Sequence, residues 1–240
     1  MNFKAAILDF DEVLGRTEGY QYLKWNVILG PKYGVWLTPQ EYAQKYCGKS
    51  SKDEIPALLC QHYPEIDLAP SKLAEIARAE LDYFFSQHKI ELMPGAHAGL
   101  VTIANFFGLE NMSVCSAKND EELEMKLVSA QVEWWFPNTK DRKHRSTQEE
   151  AGKGKPAPDM YVLATKRLGF KPSECIAFED TQAGIDAAAT AGVYVVGMPT
   201  IFSTGQDLSK ANLILAGGWP EFIANAEAIL DCQYQGGKND

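Results

Sequence analysis

The sequence predicts an α/β protein in which helices cover a parallel, doubly wound sheet and an α-helical segment is inserted after the first strand. Apolar runs of the kind found in strands buried on both faces occupy residues 3–10, 111–115, 175–178 and 193–196. Helical patterns lie at residues 98–107, 121–132 and 159–168. Because strands alternate with helices of about ten residues, we expect crossover connections and a Rossmann-like sheet.

The segment between the first strand and the rest of the sheet has a different character. Residues 17–91 are rich in helical pattern, contain no convincing strand and are interrupted by Pro31, Pro39, Pro56, Pro64 and Pro70. The sequence LMPGAH marks the return to the sheet, because Pro94 and Gly95 punctuate the chain before a new helix. We therefore expect a core domain of residues 1–16 and 92–240 and a helical cap domain of residues 17–91. The polar stretch at residues 134–155 is expected to be a loop.

Composition excludes several classes of protein. With 240 residues, of which 45% are hydrophobic, the chain can bury a full core and is not a disordered protein. The formal net charge of -9 leaves no basic field for a nucleic acid. The first residues contain no apolar run long enough for a signal peptide or a membrane span. The five scattered cysteines indicate neither disulfides nor zinc, so we expect a cytoplasmic protein; the sequence carries no signal for its oligomeric state.

Acidic side chains follow two of the predicted strands at the point where each strand ends. Asp9 and Asp11 close the first strand, and Glu179 and Asp180 follow residues 175–178. Ligands of doubly wound sheets bind outside the carboxyl ends of the strands, so these acids are expected to share one site. Grouped carboxylates repel each other unless a cation holds them, and hard oxygen ligands suit Mg²⁺. The sequence therefore predicts a magnesium site.

Two further residues in the same region indicate phosphate chemistry. Ser116 follows the second predicted strand, where its hydroxyl and the backbone N–H groups of a helix start could hold an anionic oxygen. Lys155, in the run GKGKPAPDMY, can place a point charge on a phosphate. Together with the acids, these residues predict a phosphoryl-transfer site.

Four stretches in this order resemble the motifs of the haloacid dehalogenase superfamily, in the branch of beta-phosphoglucomutase and phosphoglycolate phosphatase that carries a helical cap. LDFDEVL is similar to the first motif and VCSAKN to the second. GKGKPAPDMY resembles the third motif with its lysine, and FEDTQAGIDAAATAGV the fourth with its paired acids. With the predicted strands that flank them, the four matches span residues 5–196 and so cover most of the chain.

The resemblance implies a role for each acid. Asp9 would be the nucleophile that forms an aspartyl-phosphate. Asp11 would protonate the leaving oxygen and later activate water. Magnesium would be held by Asp9, the backbone carbonyl of Asp11 and Asp180, with Glu179 as a ligand or as a support for the ligands. Members of the family that cleave carbon–halogen or carbon–phosphorus bonds generally lack an aspartate at position 11, so a phosphoester substrate is favoured.

Two segments of the insertion resemble the cap of beta-phosphoglucomutase-like enzymes, namely TEGYQYLKW and YCGKSSKDEI. They suggest substrate contacts from Thr17, Gln21, Gly48, Lys49 and Lys52. The mutases carry a histidine where Gln21 stands and an arginine near Lys52, so the mutase pattern is incomplete.

These observations lead to a hypothesis with two alternatives. We expect a magnesium-dependent phosphatase that acts on a small phosphorylated metabolite through an aspartyl-phosphate, under a mobile cap. A phosphosugar mutase is the first alternative, and a catalytically silent binding protein is the second. Glu12 occupies a place where relatives usually carry glycine or another small or acidic residue. We expect its side chain to point to solvent or toward the cap, so that Glu12→Gly leaves activity largely intact; the alternative is that Glu12 shapes the choice of substrate.

Overall fold

The computed structural model describes residues 2–47, 49 and 54–231, without the side chain of Ser86. The strands in this part of the chain are β1 (Ala5–Asp9), β2 (Met112–Ser116), β3 (Arg145–Thr147), β4 (Cys175–Glu179), β5 (Tyr194–Gly197) and β6 (Leu213–Ile214). They form one sheet in the order β3-β2-β1-β4-β5-β6, and each neighbouring pair is parallel. The predicted parallel α/β sheet is confirmed.

Helices fill the connections between the strands. Their bounds are α1 (Glu18–Tyr33), α2 (Pro39–Lys45), α3 (Glu54–His62), α4 (Pro70–Gln87), α5 (Ala96–Phe107), α6 (Asp120–Ser129), α7 (Gln148–Ala151), α8 (Asp159–Leu168), α9 (Gln182–Thr190) and α10 (Gly218–Leu230). Among the described residues, none of these helices combines the length and the apolar character needed to cross a bilayer.

The sequence prediction is wrong at the outer strands of the sheet. Strand β3 and helix α7 lie inside residues 134–155, which we expected to be a loop, and β6 was not predicted. Strand β3 has no apolar signature because its buried side chains are polar and find partners inside the protein. Arg145 Nε donates to the Phe136 carbonyl at 2.7 Å, and Ser146 Oγ donates to the Met160 carbonyl at 2.8 Å. Strand β6 has only two residues, too few for any periodicity to be seen.

The core has one apolar layer on each face of the sheet. Alternate residues of β1 point to opposite faces, so Ala6 and Leu8 join one cluster while Ala5 and Ile7 join the other. The first cluster is completed by α5, α6 and α10, and the second by α8 and α9. The sheet is therefore buried on both faces, which explains the continuous apolar runs in the sequence.

The order of the strands places a crevice at the centre of the sheet. From β1 the chain moves outward to β2 and β3, then returns to the other side of β1 and moves outward again through β4, β5 and β6. The connections that leave the carboxyl ends of β1 and β4 thus diverge in opposite directions. Ligands of open α/β sheets bind at such a switch point.

The inserted helices α1 to α4 surround an apolar cluster of their own. Its members include Trp25, Leu29, Leu59 and Leu73, and the described residues of this cluster all come from the insertion apart from Phe202, which packs against it from the loop after β5. The entering and leaving segments pair with each other. The Arg16 N–H donates to the Glu91 carbonyl at 2.9 Å, and the Met93 N–H donates to the Leu14 carbonyl at 2.8 Å. The chain thus enters and leaves the insertion at one place.

Candidate active site

The carboxyl ends of β1 and β4 bring three acids together. Asp9 is the last residue of β1, Glu179 is the last residue of β4, and Asp180 follows directly. One carboxylate oxygen from each lies within 4.8 Å of the others, and all three side chains are buried. Three of the four acids predicted to share a site therefore lie together.

Lys155 closes one side of this cluster. Its ammonium forms ion pairs with Asp9 and with Glu179, the latter at 2.5 Å. Tyr161, on α8, donates its hydroxyl to Glu179 at 2.5 Å. Burial would lower the pKa of Lys155, but the carboxylates of Asp9 and Glu179 outweigh it and raise the pKa above the ordinary value. Lys155 is therefore held as a buried cation beside the carboxyl end of β1.

The small size of Gly184 allows the Glu179 carboxylate to sit against helix α9. A Cβ at position 184 would lie 2.0 Å from the carboxyl carbon of Glu179, closer than any side chain permits. Thr181 caps this helix, because its side chain accepts a hydrogen bond from the Gly184 N–H at 3.2 Å. The small residue in the fourth motif thus fixes where the acid lies.

The cluster carries more negative charge than Lys155 can balance. Burial raises the pKa of Asp9 to about 7; Lys155 opposes this effect, whereas Glu179 and Asp11 reinforce it. Burial, with Glu179 and Asp9, raises the pKa of Asp180 well above the usual range. One lysine therefore does not balance three buried carboxylates. Carboxylate oxygens at this spacing are the donors that Mg²⁺ prefers, so the residues present fit a divalent cation.

The Asp11 carboxylate is held apart from this cluster. Thr17 Oγ1 donates to one of its oxygens at 2.5 Å, and the Lys126 ammonium donates to both oxygens at 2.5 and 2.7 Å. Burial would raise the pKa of Asp11, but the ion pair with Lys126 and the Thr17 hydroxyl outweigh it, so the pKa lies below the ordinary value. Asp11 thus links α6 to the start of α1.

Lys126 was missed in the sequence. It lies on α6 one turn after Leu123, on the buried side of the helix, and its side chain is mostly enclosed. The sequence offered one signal, because Lys126 falls on the apolar side of the helix that follows the second motif, where a lysine is unusual. The residue carries no motif of its own, because the partner that explains it is 115 positions away.

The Glu12 side chain points toward the insertion, which is one of the two directions expected, and not to solvent. The carboxylate is buried and accepts the backbone N–H groups of Thr17 at 2.8 Å and Glu18 at 2.9 Å, at the start of α1. Its backbone lies in the left-handed region with φ 58°, which explains why glycine suits this position. Burial raises the pKa of Glu12 to about 7, against the backbone hydrogen bond from Glu18. The side chain therefore turns toward the insertion and caps its first helix.

Ser116 ends β2 as predicted and is fully buried. Its Oγ accepts the Lys118 N–H at 3.2 Å, whereas Asn119 caps α6 by accepting the Glu122 N–H at 2.8 Å. Ser116 is therefore not the cap of this helix. An open cavity of about 250 Å³ begins beside it, lined by Ala117, Lys118, Asn119, Gln148, Glu149 and Gly152.

The predicted cap residues have different environments. Thr17 and Gln21 are buried near the start of α1, and Lys49 is exposed. Gly48 and Lys52 lie outside the described residues. Gln21 Oε1 accepts a hydrogen bond from Lys24 Nζ at 2.6 Å, a contact that the sequence did not suggest.

Comparison with known proteins gives results that agree with this geometry. A family model described as a haloacid dehalogenase-like hydrolase matches residues 3–192. The "Probable pseudouridine-5'-phosphatase" of Drosophila melanogaster is 28% identical over 213 residues, which are 88% of each chain. The beta-phosphoglucomutase of Bacillus subtilis is 26% identical over 220 residues, again 88% of each chain.

Solved structures share the fold. A hydrolase of the same family from Deinococcus radiodurans, with bound phosphate and sodium, superposes with a TM-score of 0.75 at 24% identity, over 95% of this chain and 97% of that one. A haloacid dehalogenase-like protein from Agrobacterium tumefaciens has a TM-score of 0.78 at 19% identity, over 96% and 99% of the two chains. At these identities the likeness establishes the fold alone.

Proposed function

The chain belongs to the haloacid dehalogenase-like hydrolases, and we propose that it is a magnesium-dependent phosphatase that cleaves a small phosphorylated metabolite through an aspartyl-phosphate on Asp9. The observation that carries the proposal is the meeting of Asp9, Glu179, Asp180 and Lys155 at the carboxyl ends of β1 and β4. The relative from Drosophila melanogaster, whose name is that of a phosphatase, supports the same reaction class.

In the first step, an Asp9 carboxylate oxygen attacks phosphorus and the bond from phosphorus to the ester oxygen breaks. The phosphoryl group is then an acyl phosphate on Asp9, and the leaving oxygen takes a proton from Asp11. In the second step water attacks phosphorus and passes a proton to Asp11. The bond from phosphorus to Asp9 breaks, so phosphate is released and the Asp9 carboxylate is restored. Asp11 ends the cycle protonated, as it began it.

The other residues of the site hold the phosphoryl group. Lys155 lies against Asp9, so its ammonium can move from the carboxylates to a phosphoryl oxygen and offset its charge. Ser116 ends the neighbouring strand, one position beyond Cys115, which is the register partner of Asp9, and offers a hydroxyl to a second oxygen. Both contacts favour a group that gains negative charge near Asp9.

Magnesium would be held by Asp9, Asp180 and the backbone carbonyl of Asp11, with Glu179 as a ligand or as their support. When bound, it supplies positive charge that offsets the repulsion between these carboxylates and the anionic phosphoryl group. The same proposal treats residues 17–91 as a cap domain and places the enzyme in the cytoplasm.

Asp11 must change partners and take up a proton before it can protonate a leaving group. Its carboxylate is engaged by Lys126 on one side and by Thr17 on the other. Because Thr17 stands at the entry to the insertion, a movement of the insertion toward the sheet would alter this contact. We propose that such a movement accompanies substrate binding and frees Asp11 for proton transfer.

A phosphosugar mutase is the second candidate, and the similarity to the beta-phosphoglucomutase of Bacillus subtilis favours it. Gln21 argues against it. Its amide does not titrate, so it cannot replace the histidine of the mutases in proton transfer. The amide oxygen also already accepts a hydrogen bond from the Lys24 ammonium at 2.6 Å. Conversion of a phosphorylated hexose to its isomer without release of phosphate would favour the mutase instead.

The decisive experiment is a phosphate-release assay with a panel of small phosphoesters. We expect the wild type to release phosphate with Mg²⁺ and to lose this activity with a chelator. Asp9→Asn should be inactive on each substrate, whereas Lys32→Met, which changes an exposed lysine of α1, should match the wild type. Equal phosphate release by the wild type and Asp9→Asn would exclude the proposal.

A further inference from the structure

One face of helix α1 carries a buried polar stripe that runs away from the Asp11 side chain. Thr17, Gln21 and Lys24 follow each other at spacings of four and three residues, so they share one side of the helix. All three are buried. The stripe begins at Thr17, which contacts Asp11, so its other members extend from the acid that would meet the leaving group.

Lys24 is the unusual member of this stripe. Only 4% of its surface is exposed, and its ammonium donates one hydrogen bond, to Gln21 Oε1 at 2.6 Å. The ammonium also lies 4.4 Å from the centre of the Trp25 ring. In the part of the chain that the structure describes, no carboxylate lies within 4.0 Å of it. An ammonium has three N–H donors, and a buried charge without a counter-ion is costly, so an anionic partner would satisfy this site.

Lys24 shares a charged neighbour with Asp11. Glu18 and Lys118 are the neighbours whose fields reach it, and the field of Lys118 also reaches Asp11. The Glu18 carboxylate is already bound by the Tyr42 hydroxyl at 2.8 Å. Lys118 lines the cavity of about 250 Å³ next to β2. Two ammonium groups thus act on the same region and repel each other, which an anion between them would relieve.

The stripe also sets the size of the ligand. Lys24 lies seven positions after Thr17, so their Cα atoms are about 10 Å apart along the helix. Side chains on a helix lean toward its N-terminus, and the hydrogen bond from Lys24 back to Gln21 follows this direction. The ammonium therefore lies about one turn closer to Asp11 than its Cα, within reach of a small metabolite bound there.

We propose that Lys24 is a specificity-determining residue that binds a second anionic group, a carboxylate or a second phosphate, on the leaving-group part of the substrate. The inference rests on the proposed function, because that function places the leaving oxygen at Asp11. It identifies the substrates as phosphomonoesters with two separate anionic groups, rather than phosphates of neutral alcohols and sugars.

Matched substrates test this assignment. 3-Phosphoglycerate and glycerol 1-phosphate differ by a carboxylate against a hydroxymethyl group, and fructose 1,6-bisphosphate and fructose 6-phosphate differ by the second phosphate. For each pair the ratio of kcat/KM, charged over uncharged, is measured with Mg²⁺. The wild type should favour the charged member of at least one pair, and which pair it is tells a carboxylate from a phosphate. Lys24→Met should lower that ratio about 10- to 100-fold, mainly through KM, as expected for the loss of a charged hydrogen bond.

Two further variants separate specific binding from structure. Lys24→Arg should keep most of the preference, and Lys32→Met, on the exposed side of the same helix, should keep all of it. A wild type without any preference would overturn the proposal. So would a Lys24→Met protein that loses the same factor on both members of a pair, because that loss indicates a structural role.

A binding measurement keeps the test independent of turnover. In the Asp9→Asn background, calorimetric titration with the same two pairs should show tighter binding of the charged member, and Lys24→Met should remove the difference. If phosphate release depends on Asp9 but Lys24→Met does not change the preference for the charged member, only this inference is refuted. Preferential binding through Lys24 without phosphate release would refute the proposed function instead.

Discussion

Lys24→Met should stabilise the protein, and the gain should depend on pH. The lysine is buried in α1 with an amide as its hydrogen-bond acceptor, and burial lowers its pKa from 10.5 to about 7, against the opposing field of Glu18. The folded protein therefore disfavours the charged form. Methionine has a similar length and no charge, so it can fill the same space beside Trp25 without this penalty.

The size and sign of the effect follow from proton linkage. Between about pH 7 and 10.5 the folded protein binds fewer protons at Lys24 than the unfolded chain, so stability rises with pH across this window. At 1.36 kcal/mol per pH unit, the penalty is about 5 kcal/mol below pH 7, about 2 kcal/mol at pH 9 and near zero above pH 10.5. The gain from methionine should thus fall by about 3 kcal/mol between pH 6 and pH 9, a difference in which pH-independent packing effects cancel.

Urea denaturation at pH 6, 7.5 and 9 measures this difference. The buffers should contain no phosphate or carboxylate, since a bound anion would stabilise the ammonium. Lys32→Met is the matched control, because Lys32 is an exposed lysine of the same helix, and its effect on the free energy of unfolding should be small at each pH. A gain from Lys24→Met that is constant across the three pH values would refute the reasoning.

Three other substitutions test the site and its supports. Gly184→Ala should lower kcat for phosphate release about 100-fold or more, because the new Cβ would meet Glu179 at 2.0 Å. Lys126→Met should move the basic limb of the pH profile of kcat/KM to higher pH, because Asp11 must be protonated to act as the acid and the cation that lowers its pKa is lost. Glu12→Gly should lower the free energy of unfolding by about 1 kcal/mol in urea denaturation while phosphate release is retained, because two backbone N–H groups lose their acceptor and glycine suits the positive φ.

Each of these changes has a control and an outcome that contradicts it. Gly19→Ala places a Cβ in open space on α1 and should leave kcat unchanged. An active Gly184→Ala protein would show that the packing of Glu179 is not critical. Lys126→Arg should keep the wild-type pH profile, and a normal profile in Lys126→Met would separate this lysine from Asp11. A Glu12→Gly protein as stable as the wild type would mean that the cap contributes nothing.

The central strands and the acids could be predicted because the sequence carries them as local patterns. Strand β1 is a run of small and apolar residues that ends in Asp9, and α8 ends at Leu168, just before Gly169, which adopts φ 82°. Ligands bind at the carboxyl ends of parallel strands, and this rule predicts from the sequence alone that Asp9 and Glu179 lie in one site. Because these strands are buried on both faces of the sheet, they appear in the sequence as continuous apolar runs.

The rest depends on contacts between residues far apart in the chain. Strand β3 is polar because its side chains bind carbonyl groups of other segments, so no apolar pattern marks it. Lys126 is explained by its ion pair with Asp11, and Lys24 by its burial against Gln21 and Trp25. A lysine in a helical pattern is usually a solvated residue, and only the packing shows that these two are not.

The most direct test of the phosphatase account is to trap the phosphorylated form of Asp9. The wild type would be mixed with a substrate and Mg²⁺, reduced with borohydride, which converts an aspartyl-phosphate to homoserine, and digested for mass spectrometry. We expect homoserine at position 9, and an unmodified position 11. Phosphate release without any modification of Asp9 would contradict the account.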